Sequence, residues 1–432
     1  MYSADMYSAE MNTKPKNILK VSSVQSDHGT NYGFSAGVYA LRAVTLAMIS
    51  ALLLLLTAAS PAQAQTETVL YNFAGGRDGV DPESNLISDG TNIFGTTLDG
   101  GMGYGTVFEL SPNGSGGWNE TILHRFTGKG DGEYPTNNLI FDAAGNLYGA
   151  AGGGTHGYGV VFKLSPMGGS WKETTAFTFS GAPGPPNGIV MDAAGNIYGT
   201  AGVTSEQGLY VNSGSVFELV PARHGFTLQV IYSDSGKQAV TSPGLTMDAA
   251  GNIFAVVASK VVELSPSGGS WTSTVLYPIT GAAGYVSTPV LDQAGNVYGT
   301  TESLGTNGHG KVYKLTYGKN GKWALNNLYS FCRPDKCYDL NGYQPLGQLL
   351  LDAAGNIYGT TTSGGEYNNG TVFELAAPVG KASYAEKILW NFNGTDGANP
   401  FAGLIADSAG NLYGTTAAGG PSGNGVVFEL TP

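Results

Sequence analysis

Three short acidic segments are the first places in this chain where chemistry could sit. FAGGRDGVDP (73–82), FTGKGDGEYP (126–135) and FNGTDGANP (392–400) each place an Asp before Gly, at Asp78, Asp131 and Asp396. Two carboxyl groups within roughly 5–10 Å of one another could hydrolyse a glycosidic bond. The competing use is a turn, because Asp accepts hydrogen bonds from the backbone just downstream and Gly frees φ. Turn chemistry is the more economical reading of an Asp-Gly pair that recurs in register. A second set, Tyr104, Tyr158 and Tyr367, lies in the glycine-rich stretches TLDGGMGYG, AGGGTHGYG and TSGGEYNNG. Such rings could stack on sugar faces or pack on neighbouring structure. His156 and His309 fall in comparable stretches, too far apart to share a metal or a catalytic dyad, while His124 and His224 fall elsewhere. Calcium needs about six oxygens from one packed loop, and these segments are too poor in ligands, so neither a metal nor a cofactor is expected.

What must position these residues is a repeat. The phrase DAAGNIYGTT at 352–361 has relatives at 142–150, 192–200, 248–256, 292–301 and 407–416, and a degenerate copy, DGTNIFGTT, at 89–97. The Asn of each copy falls at 92, 146, 196, 252, 296, 356 and 411, a spacing of 44–60 residues. That is the range of blade-type repeats. A short apolar run precedes each phrase, and a glycine-rich loop and a GTVFEL-like run (105–110, 370–375) follow it. A fourth run, such as ETILHRF (120–126) or EKILWNF (386–392), completes the unit. Four runs rich in Val, Ile, Tyr, Phe and Thr, separated by turn residues, make a four-stranded antiparallel blade with strands a, b, c and d. DAAGN is then the a–b turn: Asp caps it, Gly takes the left-handed conformation, and strand b resumes at Asn. In strand b the small Gly leaves room for a bulky neighbour. Blade four lacks a b–c loop, since NIFAVVASKVVEL (252–264) turns back directly.

The run ETVLYNF (67–73) is d-type with nothing before it, and GVVFELTP (425–432) is c-type with nothing after it. If the first completes the last blade, the chain closes on itself and no sticky sheet edge remains. The expected fold is therefore all-β: one seven-bladed β-propeller over residues 66–432, ring closed by the N-terminal strand. The b–c and d–a loops share one face, and that face carries the variation in length and content where binding is expected.

The chain has 67 Gly but only 12% charged residues, and a formal net charge of −12. That balance speaks against nucleic acid or an anionic surface as partner. Lys14, Lys16, Lys20 and Arg42 precede the apolar run VTLAMISALLLLLTAA (44–59), and Ala62 and Ala64 occupy small-residue cleavage positions. Residues 1–64 therefore read as a signal peptide with a long N-terminal extension, cut between Ala64 and Gln65, leaving no stable membrane insertion. The destination would be extracellular or periplasmic, where Cys332 and Cys337 are expected to form a local disulfide.

The DxAGNxYGTTxxGG…GTVFEL wording, copied down residues 66–432, resembles the GloVer tandem-repeat proteins, a "choice-of-anchor" family of secreted bacterial repeat proteins. The resemblance implies secretion and supplies no catalytic residues to carry over. The reading favoured here is a monomeric binding or scaffold propeller that engages a glycan or an extracellular protein through its b–c/d–a face. The alternatives are a carbohydrate-active lyase or hydrolase using carboxylates such as Asp131 and Asp396, and a structural envelope or matrix protein.

Overall fold

The recurring phrase explains itself in the computed structural model, which describes residues 65–432 apart from 182, 185, 205–209, 235–241, 282–283, 307, 332–340 and 381–382. Asp352 Oδ1 accepts the backbone N–H of Ala354 at 2.9 Å and of Asn356 at 2.8 Å, while Oδ2 accepts Asn356 Nδ2 at 2.8 Å. The Tyr358 hydroxyl, from the following strand, donates to the same Oδ2 at 3.2 Å. The same backbone and Asn donors serve Asp142, Asp192, Asp248, Asp292 and Asp407. The turn glycines take φ between 77° and 87°, a region closed to most side chains. One detail differs from the expectation. Strand b resumes one residue after Asn, at Ile357 in this copy, because the Asn is tied into the turn by its own amide.

The glycine of strand b is a packing device. A Cβ on Gly359 would lie 2.6 Å from the Phe373 ring and 3.1 Å from Leu349, and Gly95, Gly149, Gly199 and Gly414 meet their strand-c Phe in the same way. Each such Phe also takes an edge-on ring from the end of the preceding blade's strand d. Phe73–Phe108, Phe126–Phe162, Phe179–Phe217, Phe331–Phe373 and Phe392–Phe428 all have centroids 5.1–5.2 Å apart, an arrangement worth about 0.5–1.5 kcal/mol beyond area burial. In blade four Ala255 stands opposite Val262, so a methyl is gained where a ring is lost.

Seven four-stranded antiparallel sheets result. Blade 1 comprises Ile87–Ser88, Ile93–Thr97, Thr106–Pro112 and Trp118–Arg125. Blades 2 to 6 lie within 133–178, 186–234, 245–278, 290–330 and 350–391. Blade 7 takes strands a to c from Ile405–Ala406, Leu412–Thr416 and Val426–Thr431, and its strand d from Thr66–Asn72. The closing pair is antiparallel from Thr66↔Thr431 to Asn72↔Val426. Its core joins Leu70, Phe73 and Val427 to Leu86, Ile93 and Phe108, so the closing seam is packed like the others. The b–c connection of blade 4 is a two-residue turn at Ala258 and Ser259, both at positive φ, as its sequence predicts. A small extra pair, Gly342–Tyr343 with Ser363–Gly364, ties the segment before blade 6 to that blade's b–c loop.

Candidate functional site

The Asp-Gly segments hold the outer strands, away from the axis. Asp78 accepts the Tyr71 hydroxyl at 2.8 Å and the Ala74 N–H at 2.6 Å. Asp131 accepts His124 Nε2 at 3.1 Å, the Thr127 N–H at 3.0 Å and the Thr127 hydroxyl at 2.5 Å. Asp396 accepts Trp390 Nε1 at 3.2 Å and the Asn393 N–H at 2.8 Å. Tyr, His and Trp thus fill one position and donate to one loop carboxylate, which is turn capping rather than three separate chemistries. Burial opposes ionisation of Asp131, but the Thr127 and His124 hydrogen bonds outweigh it and hold its carboxyl below the usual range. Burial holds the His124 imidazole neutral-leaning, against the pull of Asp131.

Each capping Asp faces a Glu from the next blade's strand d, a pairing the sequence reading did not foresee. Burial, then the neighbouring Asp, pushes Glu120 (beside Asp78), Glu173 (beside Asp131) and Glu67 (beside Asp396) up to about 7. Asp131 and Asp396 therefore belong to two different outer-strand pairs, and neither borders the axial cavity. Tyr104 packs on the d–a segment leading to blade 2, against Gly128 and 6.2 Å from the Tyr134 ring. Tyr158 and Tyr367 are 45% and 52% exposed on the loop face. His309 sits edge-on to Tyr343 at 5.8 Å, and His156 is exposed. Cys332, Cys337 and Ala64 lie outside the described residues, whereas Gln65 is the first described residue. Among the described residues no group of three or more His, Cys, Asp or Glu could hold a metal ion.

The axis itself has chemistry that sequence reasoning missed. Strand a lines it, through the residue four places before each turn Asp: Asn85, Asn138, Gly244, Thr288 and Gln348 border the axial cavities, and Gly188 and Gly403 lie against Asn138 and Asn85. Repeat alignment carried this signal, as a column of amide, hydroxyl or glycine inside otherwise apolar runs. These groups knit the ring from within. Asn85 accepts the Gly403 N–H at 2.7 Å and donates Nδ2 to Gln348 Oε1 at 3.1 Å, linking blades 1, 7 and 6. Asn138 bonds both backbone groups of Ile189 in blade 3, at 2.9 and 3.2 Å.

This amide level borders two cavities. The one toward the a–b turns, about 340 Å³, has Met191 and Met247 at its wall. The one toward the loop face, about 220 Å³, is walled by Pro135, Leu346, Tyr285 and Phe401 above Asn85, Asn137 and Gln348. Tyr285, 42% exposed, meets Phe401 edge-on at 5.8 Å and 84°. Its backbone N–H is fixed to Glu302 Oε2 at 2.8 Å. Among the described residues, Glu83 is the one charged side chain in that wall, and none of them donates a hydrogen bond to its carboxyl. Burial, then the charges of Asp81 and Asp99, pushes Glu83 up to about 7. Those two neighbours are set by backbone bonds, Leu98 N–H to Asp81 O at 2.9 Å and a reciprocal 3.0 Å pair between Val80 and Asp99.

The fold and site together define a closed seven-bladed β-propeller with a polar, aromatic-walled cup at one end of its axis. The chain belongs to the Gloeobacter/Verrucomicrobia repeat family, which matches residues 20–202, 58–261 and 257–432. Among curated proteins none matches the sequence. Solved structures of similar fold include the extracellular domain of a hybrid two-component system from B. thetaiotaomicron, at 11% identity over 85% of this chain and 42% of that one, TM-score 0.51. YCF48 bound to a D1 peptide is 12% identical over 86% of this chain and 97% of that one, TM-score 0.50. A gluconolactonase from Xanthomonas campestris is 14% identical over 85% and 89%, TM-score 0.43. At such identities the likeness is one of fold.

Proposed function

We propose that this chain is an exported recognition module, and that its loop face takes up an extracellular glycan at the axial cup. The observation that carries the reading is the wall of that cup: an exposed Tyr285 ring braced by Phe401, above side-chain amides that present both donors and acceptors. Aromatic faces and amides in a small concave site are what a sugar ring, with its C–H faces and hydroxyl rim, requires. The saturated donor shells of Asp131 and Asp396 favour binding over carboxylate catalysis at those two residues. Export rests on the 44–59 apolar run and the alanines at 62 and 64.

The test is a panel of neutral, acidic and amino oligosaccharides titrated against residues 65–432, with Tyr285→Ala and Phe401→Ala as variants. Binding by at least one class, weakened about tenfold or more by Tyr285→Ala without a change in melting temperature, is the expected result. Binding that ignores both substitutions would overturn the cup as the site. A protein partner is the second reading, favoured by exposed Met102, Tyr158 and Tyr367 on the same face; it would show as capture by the loop face that survives Tyr285→Ala and is lost with Tyr158→Ala and Tyr367→Ala.

A further inference from the structure

The cup is chemically lopsided. Its wall offers aromatic faces and neutral amides that would suit any sugar, yet among the described residues it contains one carboxyl, Glu83, and no lysine or arginine. Two more acids, Asp81 and Asp99, stand behind Glu83 on backbone held by the Val80–Asp99 and Leu98–Asp81 bonds, so the three cannot drift apart without breaking blade 1's entry. Across the cup, the Glu302 carboxylate is committed to the Tyr285 N–H at 2.8 Å and to Gln344 Nε2 at 3.1 Å, so it adds negative charge but little free bonding capacity. Among the described residues, the titratable groups near Glu83 are therefore acids and the Tyr285 phenol; Asp81 and Asp99 raise Glu83, while Glu302 and Glu83 raise Tyr285 after burial.

A site of this composition discriminates by charge. A uronate would add a further like charge to Glu83, Asp81, Asp99 and Glu302 in a partly desolvated place, which is costly. A neutral sugar would satisfy the amides and the ring and could give Glu83 a hydroxyl hydrogen bond, but it would bring no countercharge to the three acids. An ammonium would give Glu83 a charge-assisted hydrogen bond, relieve the repulsion from Asp81 and Asp99, and sit within reach of the Tyr285 face. Resting on the glycan reading above, we propose that the cup selects the free, protonated amine of an amino sugar, with the ammonium on Glu83 and the sugar ring against Tyr285.

The experiment compares one oligosaccharide backbone in two forms, a glucosamine oligomer with free amines and the same oligomer N-acetylated, with a galacturonate oligomer and trilysine as further arms. Calorimetric titrations use residues 65–432 as wild type, Glu83→Gln and Asp99→Asn. The expected result is a preference of at least tenfold for the free amine over the acetylated form, no detectable binding of the uronate, and affinity that falls with added salt. Glu83→Gln should erase the preference while leaving binding of the acetylated oligomer within about twofold; Asp99→Asn should reduce it partially. Equal affinity for both forms, or a preference that survives Glu83→Gln, overturns the inference and leaves the glycan reading standing. Trilysine binding as tightly as the amino sugar also overturns it, since the ring would then contribute nothing. Failure of every oligosaccharide to bind overturns both. Unchanged melting temperatures of the two variants separate loss of recognition from loss of fold.

Discussion

The a–b turns and the axial cup use carboxyl groups in opposite ways. At the a–b turn end, Asp352 receives four donors from within its own turn and the strand after it. Burial works against its charge, but those hydrogen bonds win and hold its carboxyl below the usual range, as they do for Asp142, Asp292 and Asp407. At the loop end, Glu83 has like charges for neighbours and is pushed up to about 7. A carboxylate with a full donor shell is finished business, structurally occupied. One that the fold leaves without donors keeps its bonding capacity for something that arrives from solution. The contrast sorts acidic residues more sharply than their presence in a motif did.

That contrast can be strained from several directions. The largest effect should come from the packing that supports both ends. Phe373→Ala should cost about 3–5 kcal/mol in denaturant unfolding, and Gly359→Ala about 1–3 kcal/mol through overpacking against the same ring. Combining Gly359→Ala with Phe373→Val should recover part of the loss, since blade 4 already pairs Ala255 with Val262; strict additivity in the double-mutant cycle would contradict the proposed compensation.

Next in size is the turn. Asp352→Ala removes one hub and leaves three half-buried donors, the Asn356 N–H and Nδ2 and the Tyr358 hydroxyl, without it, and should destabilise by about 1–3 kcal/mol, whereas Glu83→Gln should leave stability at pH 5 within about 0.5 kcal/mol. Thermal melts of the two variants would show whether the ends differ in this way.

The smallest and most diagnostic effect is pH dependence. The depressed turn aspartates contribute stability that is present above an ordinary 3.8 and lost as pH falls through their folded values. Glu67, Glu83, Glu120 and Glu173, raised from 4.5 to about 7, do the reverse: their contribution is complete below 4.5 and lost as pH rises through about 7. Stability measured by urea unfolding should therefore peak near pH 4–5 and decline toward pH 8. A flat profile from 5 to 8 would contradict the raised glutamates.

Much of the ring was legible because the sequence states it seven times. Turn chemistry, strand-b glycine and the complementary runs at 67–73 and 425–430 are local features with few competing uses, and the closing pair Thr66↔Thr431 follows from them. The site was harder to read. Asp78, Asp131 and Asp396 drew attention as recurring acids, but recurrence marked them as caps with Tyr71, His124 and Trp390 as donors. Glu83 and Phe401 share one repeat position, directly after Pro82 and Pro400, but differ in chemistry there, and Tyr285 falls one place earlier in its repeat; what unites the three is convergence on the axis from blades 1, 5 and 7. No window of sequence contains that convergence. Only the column running from Asn85 to Gly403 hinted at it, and its meaning depends on knowing that strand a is innermost.

The central claim is that the mouth carboxyl, Glu83, stands without donors among the described residues while the turn carboxyls are saturated, and side-chain carboxyl ¹³C titration of the ring tests it directly. The account predicts that Glu83 titrates near 7, that Glu83→Gln removes that resonance alone, and that Asp142, Asp292, Asp352 and Asp407 titrate below 3.8. A Glu83 midpoint at or below 4.5, alongside turn aspartates in the ordinary range, would contradict it.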